Sequence, residues 1–178
     1  MSICKRIRRK LKSRLGFTLA EVLMVVLILM MVSSVVAGGV TVAANAYFKV
    51  VDAANAQMLL STTVTKLRRE LAFASDVTLE SGEVKSYTNG ESGQVTTLVS
   101  DDVNEDKGIK LKWDDDKDPE LLVRKAAATK NMYAKFDKIT YDKGFFIIEN
   151  LQVQKTGYDN PLASVDNLRI RAIAIRDS

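Results

Sequence analysis

From Phe17 to Val40 the chain holds a single ionisable side chain, Glu21, in an otherwise apolar run. A run of this length suffices for the roughly 20 helical residues that cross a hydrocarbon core about 30 Å thick. A charge inside such a segment costs about 2.5–3.5 kcal/mol even on lenient insertion scales, so the carboxylate needs a partner or a purpose. No other side chain of the run supplies positive charge. Cleavage after Gly16 would supply it, because Phe17 would then carry a free amine four residues from Glu21. The chemistry this spacing offers is an ion pair formed in an apolar medium.

Other chemistry has less to work with. Histidine is absent and the one cysteine is Cys4, so the chain beyond residue 16 has neither a thiolate nor an imidazole base for nucleophilic catalysis. No spacing singles out a Ser–Lys or paired-aspartate site, and enzymatic activity and a cofactor are not expected. Asp101, Asp102, Asn104, Glu105 and Asp106, and then Asp114, Asp115, Asp116 and Asp118, raise the question of calcium. Counted from Asp102, the first set places Lys107 where an EF-hand needs glycine and Trp113 where it needs the bidentate glutamate. The reading is a pair of solvated acidic loops with no metal, Asp114, Asp115, Asp116 and Asp118 being the residues to hold calcium if any did. Lys155, Arg169, Arg171 and Arg176 suggest a small basic strip, read as the wet face of a strand; nucleic acid is not an expected partner.

A basic leader followed by Gly16-Phe17-Thr18-Leu19-Ala20-Glu21 and an apolar helix resembles the class III signal of type IV pilins and type II secretion pseudopilins. The resemblance is close over Lys5 to about Val40 and only architectural beyond. It implies cleavage after Gly16 by a membrane prepilin peptidase, N-methylation of Phe17, and assembly into a filament on an inner-membrane platform through the apolar helices. In that scheme Glu21 faces the N-terminal amine of a neighbouring pilin or pseudopilin subunit. The disulfide-closed loop that many such proteins carry near the C-terminus has no cysteines here. Size, short strands and Leu67-Arg68-Arg69-Glu70-Leu71 resemble the J-type minor pseudopilins.

Charge distribution supports the same partition. The formal charge of +4 comes from the leader, where Lys5, Arg6, Arg8, Arg9, Lys10, Lys12 and Arg14 stand without an acid; the rest holds 19 basic against 22 acidic side chains. Lys and Arg flanking a span favour the cytoplasmic side, which places the residues after Val40 outside the membrane. A single-pass membrane protein with its leader in the cytoplasm is expected, and after assembly a filament at the cell surface or in the periplasm or cell wall.

These groups must be positioned by one long helix and a sheet. No proline stands between Phe17 and Pro119, and apolar residues recur at helical spacing through Tyr47, Val51, Ala54, Met58, Leu60, Val64, Leu67, Leu71 and Ala74. Gly38-Gly39 falls at the end of the span and is read as a weak point or a small-residue contact, each glycine costing about 0.8–1 kcal/mol relative to alanine. After Ser75 the pattern alternates. Strands are expected at Val77–Glu80, Val84–Tyr87, Val95–Ser100, Ile109–Trp113, Leu121–Lys125, Met132–Phe136, Lys138–Tyr141, Phe145–Glu149, Leu151–Lys155 and Leu168–Ile175. Turns are expected at Ser81-Gly82, Asn89-Gly90, Asp142-Lys143-Gly144 and Gly157–Pro161. Parity changes along the last strand, which predicts a bulge or burial of both faces.

The expected architecture is α+β: leader 1–16, membrane or filament-core helix 17–40, its amphipathic continuation 41–75, and a β-rich domain 76–178, the helix packing on an antiparallel sheet. Two rivals stand against a filament subunit. One is a domain secreted after cleavage at Ala44-Asn45-Ala46, which satisfies a small-x-small rule, although the apolar region is longer than the usual 7–15 residues. The other is a single-pass anchored binding domain that never assembles.

Overall fold

A computed structural model describes residues 18–103, 106–113, 118–124, 129 and 131–174. Among the described residues one helix, α1 (Leu19–Ala72), precedes nine strands: β1 (Ser75–Glu80), β2 (Glu83–Thr88), β3 (Val95–Asp101), β4 (Gly108–Trp113), β5 (Glu120–Leu121), β6 (Met132–Lys135), β7 (Lys138–Asp142), β8 (Phe145–Lys155) and β9 (Ala163–Arg171). Every pairing is antiparallel, and the helix packs on a curled sheet, the α+β class expected. The described residues fall into two compact units that part between Phe48 and Lys49. The first is the apolar part of α1; the second is the remainder of α1 with the sheet. Within the second unit the helix is first half-buried at Val51 and first fully buried at Ala56.

Within the second unit, α1 buries Ala56, Leu59, Thr63, Leu67 and Leu71, a stripe at i, i+3 and i+4 spacing. This stripe is rotated from the one the apolar pattern suggested: Ala54 and Met58 are exposed, and Thr63 is inside. Thr63 is tolerated there because its hydroxyl donates to the Leu59 carbonyl at 2.8 Å. At the helix end the Ile173 N–H donates to the Ala72 carbonyl at 2.7 Å, satisfying one of the carbonyls a helix leaves open. The core joins Leu67 and Leu71 to Tyr87, Phe146, Ile148, Leu151 and Val153.

The sheet order is β5-β4-β3-β2-β7-β8-β6, with β1 on β2 and β9 on β8. It curls at β2, which pairs with β1 over its length, meets β7 only at Glu83↔Thr140 and meets β3 only at Tyr87↔Thr96 and Thr88↔Val95. Two hairpins close as their sequences require. Ser81-Gly82 and Lys143-Gly144 are two-residue loops with positive φ at both positions, the geometry that matches strand twist. Asn89-Gly90 is not such a turn. The loop runs on to Gln94, whose carbonyl accepts from the Asn89 N–H, and a Cβ on Gly90 would lie 2.2 Å from the Phe73 carbonyl oxygen. Close backbone approach, not turn geometry, requires that glycine.

Strands read separately at Phe145–Glu149 and Leu151–Lys155 are one strand, β8, whose inward parity changes in the middle. Phe146 and Ile148 are buried on one side of Asn150, Leu151 and Val153 on the other. The register with β9 does not slip across this point, since Glu149 faces Asn167 and Leu151 faces Val165. Asn150 makes the change with φ +52°, in the left-handed region that asparagine tolerates better than most residues. Its Nδ2 donates to Asp137 Oδ2 at 2.8 Å, and the Asp137 N–H donates to the Glu149 carbonyl at 3.1 Å. A crease therefore crosses the sheet here, with β7 on one side of it and β6 on the other along β8. The parity change expected in the last strand has a simpler cause: β9 ends at Arg171, and Ile173 lies beyond it, exposed. Leu121–Lys125 shrinks to the two residues of β5, with Lys125 outside the described residues.

Asn150→Val should lower unfolding stability by about 1–2 kcal/mol through the left-handed conformation alone, and Asn150→Gly by less. Urea denaturation of the detergent-solubilised chain measures both; equal losses would contradict the crease as described.

Candidate functional site

The start of α1 is a reciprocal cap. Thr18 stands just before the helix, and its carbonyl accepts the first helical bond from the Val22 N–H at 3.2 Å. Its Oγ1 accepts from the Glu21 N–H at 3.2 Å, while Glu21 Oε2 accepts from the Thr18 N–H at 3.1 Å and from the Thr18 hydroxyl at 3.3 Å. This is the S/T-x-x-E capping box, which satisfies two of the open donors of a helix start. The spacing Thr18-Leu19-Ala20-Glu21 carries that signal in the sequence, masked there by the interest of the carboxylate itself. Glu21 is thus a helix cap as well as the lone acid of the span. Gly16 and Phe17 lie outside the described residues.

Beyond the cap every residue from Thr18 to Ala43 is exposed, including Leu23, Leu27, Ile28, Met30, Met31 and Val36. The helix is long and apolar enough to cross a membrane, with a mean hydropathy of 2.6 in its most apolar window. Gly38 and Gly39 do not interrupt it; both are helical, and a Cβ on either would meet nothing within 4 Å. Alanine would therefore fit at both positions in the single chain.

Asp114, Asp115 and Asp116 lie outside the described residues, and Asp118 is exposed. Among the described residues no group of three or more His, Cys, Asp or Glu side chains is placed to hold a metal ion. Arg169 and Arg171 lie on the wet face of β9, alternating with buried Leu168 and Ile170 as read, but Lys155 stands apart from them. Lys155 sits at the end of β8, eight residues, or about 26 Å of strand, from the Ile147 that faces Arg169. Lys155 pairs with Asp52 of α1, which holds the ammonium above its usual pKa chiefly through that hydrogen bond, and it lies over the Tyr158 ring. Arg169 covers the Phe145 ring at 4.8 Å, Arg171 is exposed, and Arg176 is outside the described residues.

Residues 67–71 serve the fold. Leu67 and Leu71 are buried, Arg69 pairs with Glu91 at 2.8 Å, and Glu70 accepts hydrogen bonds from the Tyr87 hydroxyl and Asn89 Nδ2. Burial of Tyr87, with the Glu70 carboxylate beside it, pushes its phenol far above the usual tyrosine range. A cavity of about 20 Å³ between Leu59 and Thr63 of α1 and Ile109, Leu122 and Met132 is the size of one water and too small for a ligand.

Compared with family models, with curated proteins and with solved structures, the chain has no match in any of the three. The reading of the site therefore rests on its own residues.

Replacing Thr18 with valine keeps the shape and removes the hydroxyl. About 1 kcal/mol of capping should be lost, so amide hydrogen exchange at Glu21 should quicken about fivefold in detergent micelles, and Thr18→Ser should restore it. Unchanged exchange in Thr18→Val would show that the cap contributes nothing.

Proposed function

We propose that this chain is a prepilin-type structural subunit, a minor pilin or pseudopilin, and that its apolar helix is the assembly element of a filament. The observation that carries this reading is the helix from Leu19 to Val42, uncovered along its length and opened by a carboxylate four residues after Phe17. A prepilin peptidase would cut after Gly16 and expose the Phe17 amine, which is then N-methylated. In the bundle, Glu21 of one copy would meet the amine of another, with other subunits and the membrane platform as partners. At an effective dielectric near 20, two charges 4 Å apart attract by about 4 kcal/mol. Both described bonds of the Glu21 carboxylate end on Oε2, so its own helix start is satisfied by one oxygen. The role is structural, with no cofactor and no catalytic residue.

The anchored domain that never assembles draws support from one observation: the capping box gives Glu21 a local duty without any neighbour. The two readings differ in processing and in filament yield. The mature chain should begin at N-methylated Phe17. Gly16→Ala should be the mildest change at the cleavage site, bulky residues there should block processing, and Glu21→Ala should insert but assemble poorly. N-terminal sequencing and intact mass, with shearing of surface filaments, test these outcomes. A chain starting at Tyr47 would establish secretion, and an uncleaved chain would establish the simple anchor.

A further inference from the structure

We propose that Tyr47 and Phe48 contact the lipid headgroup layer on the far side of the membrane from the Thr18–Glu21 cap. The two rings stand side by side on α1, edge to face at 6.0 Å, with 66% and 62% of their surface exposed. Only Ala43-Ala44-Asn45-Ala46 separates them from Val42, the last large aliphatic residue of the uncovered run. From Thr18 to Tyr47 is 29 helical steps, about 44 Å at 1.5 Å each. A bilayer with its headgroups is about 40–45 Å thick, and a typical tilt near 20° shortens the projected length only to about 41 Å. The polar cap and the aromatic pair are thus one bilayer apart. Tyrosine suits such a boundary because its ring is apolar and its hydroxyl remains hydrated. The same spacing puts Glu21 near the opposite headgroup layer, where its carboxylate and the Thr18 cap retain access to water until the chain enters an assembly.

This inference rests on the reading of the helix as a membrane span, and the experiment separates the two. The full-length chain, carrying Trp113→Phe, is reconstituted in phosphatidylcholine–phosphatidylglycerol vesicles containing lipids brominated at either shallow or deep acyl positions. Tryptophan is introduced singly as Val32→Trp, Tyr47→Trp, Phe48→Trp or Met58→Trp. Val32→Trp should be quenched most by deep bromines, and Tyr47→Trp and Phe48→Trp at least threefold more by shallow than by deep bromines. Met58→Trp should escape both. Quenching of the Tyr47 and Phe48 positions no stronger than at Met58 would overturn the inference while leaving the span intact. Loss of their quenching as the protein-to-lipid ratio rises would also overturn it, in favour of contact with a second copy. Failure to quench Val32→Trp would overturn the membrane reading and this inference with it. Should Trp113→Phe disturb the fold, nitroxides on single cysteines at the same positions, in a Cys4→Ser background, read the same depths by oxygen against nickel-chelate accessibility.

Discussion

The constraint on which the rest of the structure depends is that the first half of α1 stands exposed, uncovered by any of the described residues. Sixteen large apolar side chains between Leu19 and Val42 are mostly exposed. At about 1.5–3 kcal/mol for each such side chain taken fully out of water, their hydration is unfavourable by tens of kcal/mol. That exceeds the 5–15 kcal/mol by which a typical domain is stable. A helix of this length and apolarity is suited to lipid or to the company of other helices. A lipid environment gives no hydrophobic drive between helices, which leaves close packing and polar pairs to hold an assembly together.

The second half of α1 is held in a different way. Its buried stripe from Ala56 to Leu71 is bracketed by two polar clasps, Asp52 with Lys155 at one end and Glu70 with Tyr87 and Asn89 at the other. Each clasp joins the helix to a different strand or loop, so the register of the helix on the sheet is set at both ends while the apolar stripe supplies the burial. The Glu70 clasp includes the buried Tyr87, whose phenol is pushed far above the usual tyrosine range by burial and by the carboxylate beside it. Arg69 and Glu91 add a pair at the surface, where such contacts contribute little.

Local rules made part of this legible. Ser81-Gly82 and Lys143-Gly144 demand positive φ between alternating strands, and both hairpins form with two-residue loops. The long helix followed from a proline-free, periodic stretch. What the sequence concealed were features made by distant residues. Lys155 and Asp52 are 103 residues apart, and no local pattern pairs them. Met58 and Ala54 looked like core positions because apolar type alone does not fix which face of the helix the sheet covers; Ala56 and Thr63 lie on the covered face. The parity break at Asn150 was visible but looked like a strand boundary, since a strand that changes its inward face without losing register requires partners that change with it. At the candidate site, Glu21 stood out by its isolation, whereas its bond to Thr18 is a second function of the same residues.

Under the proposed function the uncovered helix is an assembly element in which Glu21 of one copy meets the amine of another. The most direct measurement is a reconstruction of sheared filaments at a resolution that places side chains. Expected are apolar helices packed in the filament interior, with a Glu21 carboxylate within about 4 Å of the Phe17 amine of a neighbouring copy. Filaments whose Glu21 bonds only to its own Thr18, with each Phe17 amine out of reach of any neighbour's carboxylate, would contradict it.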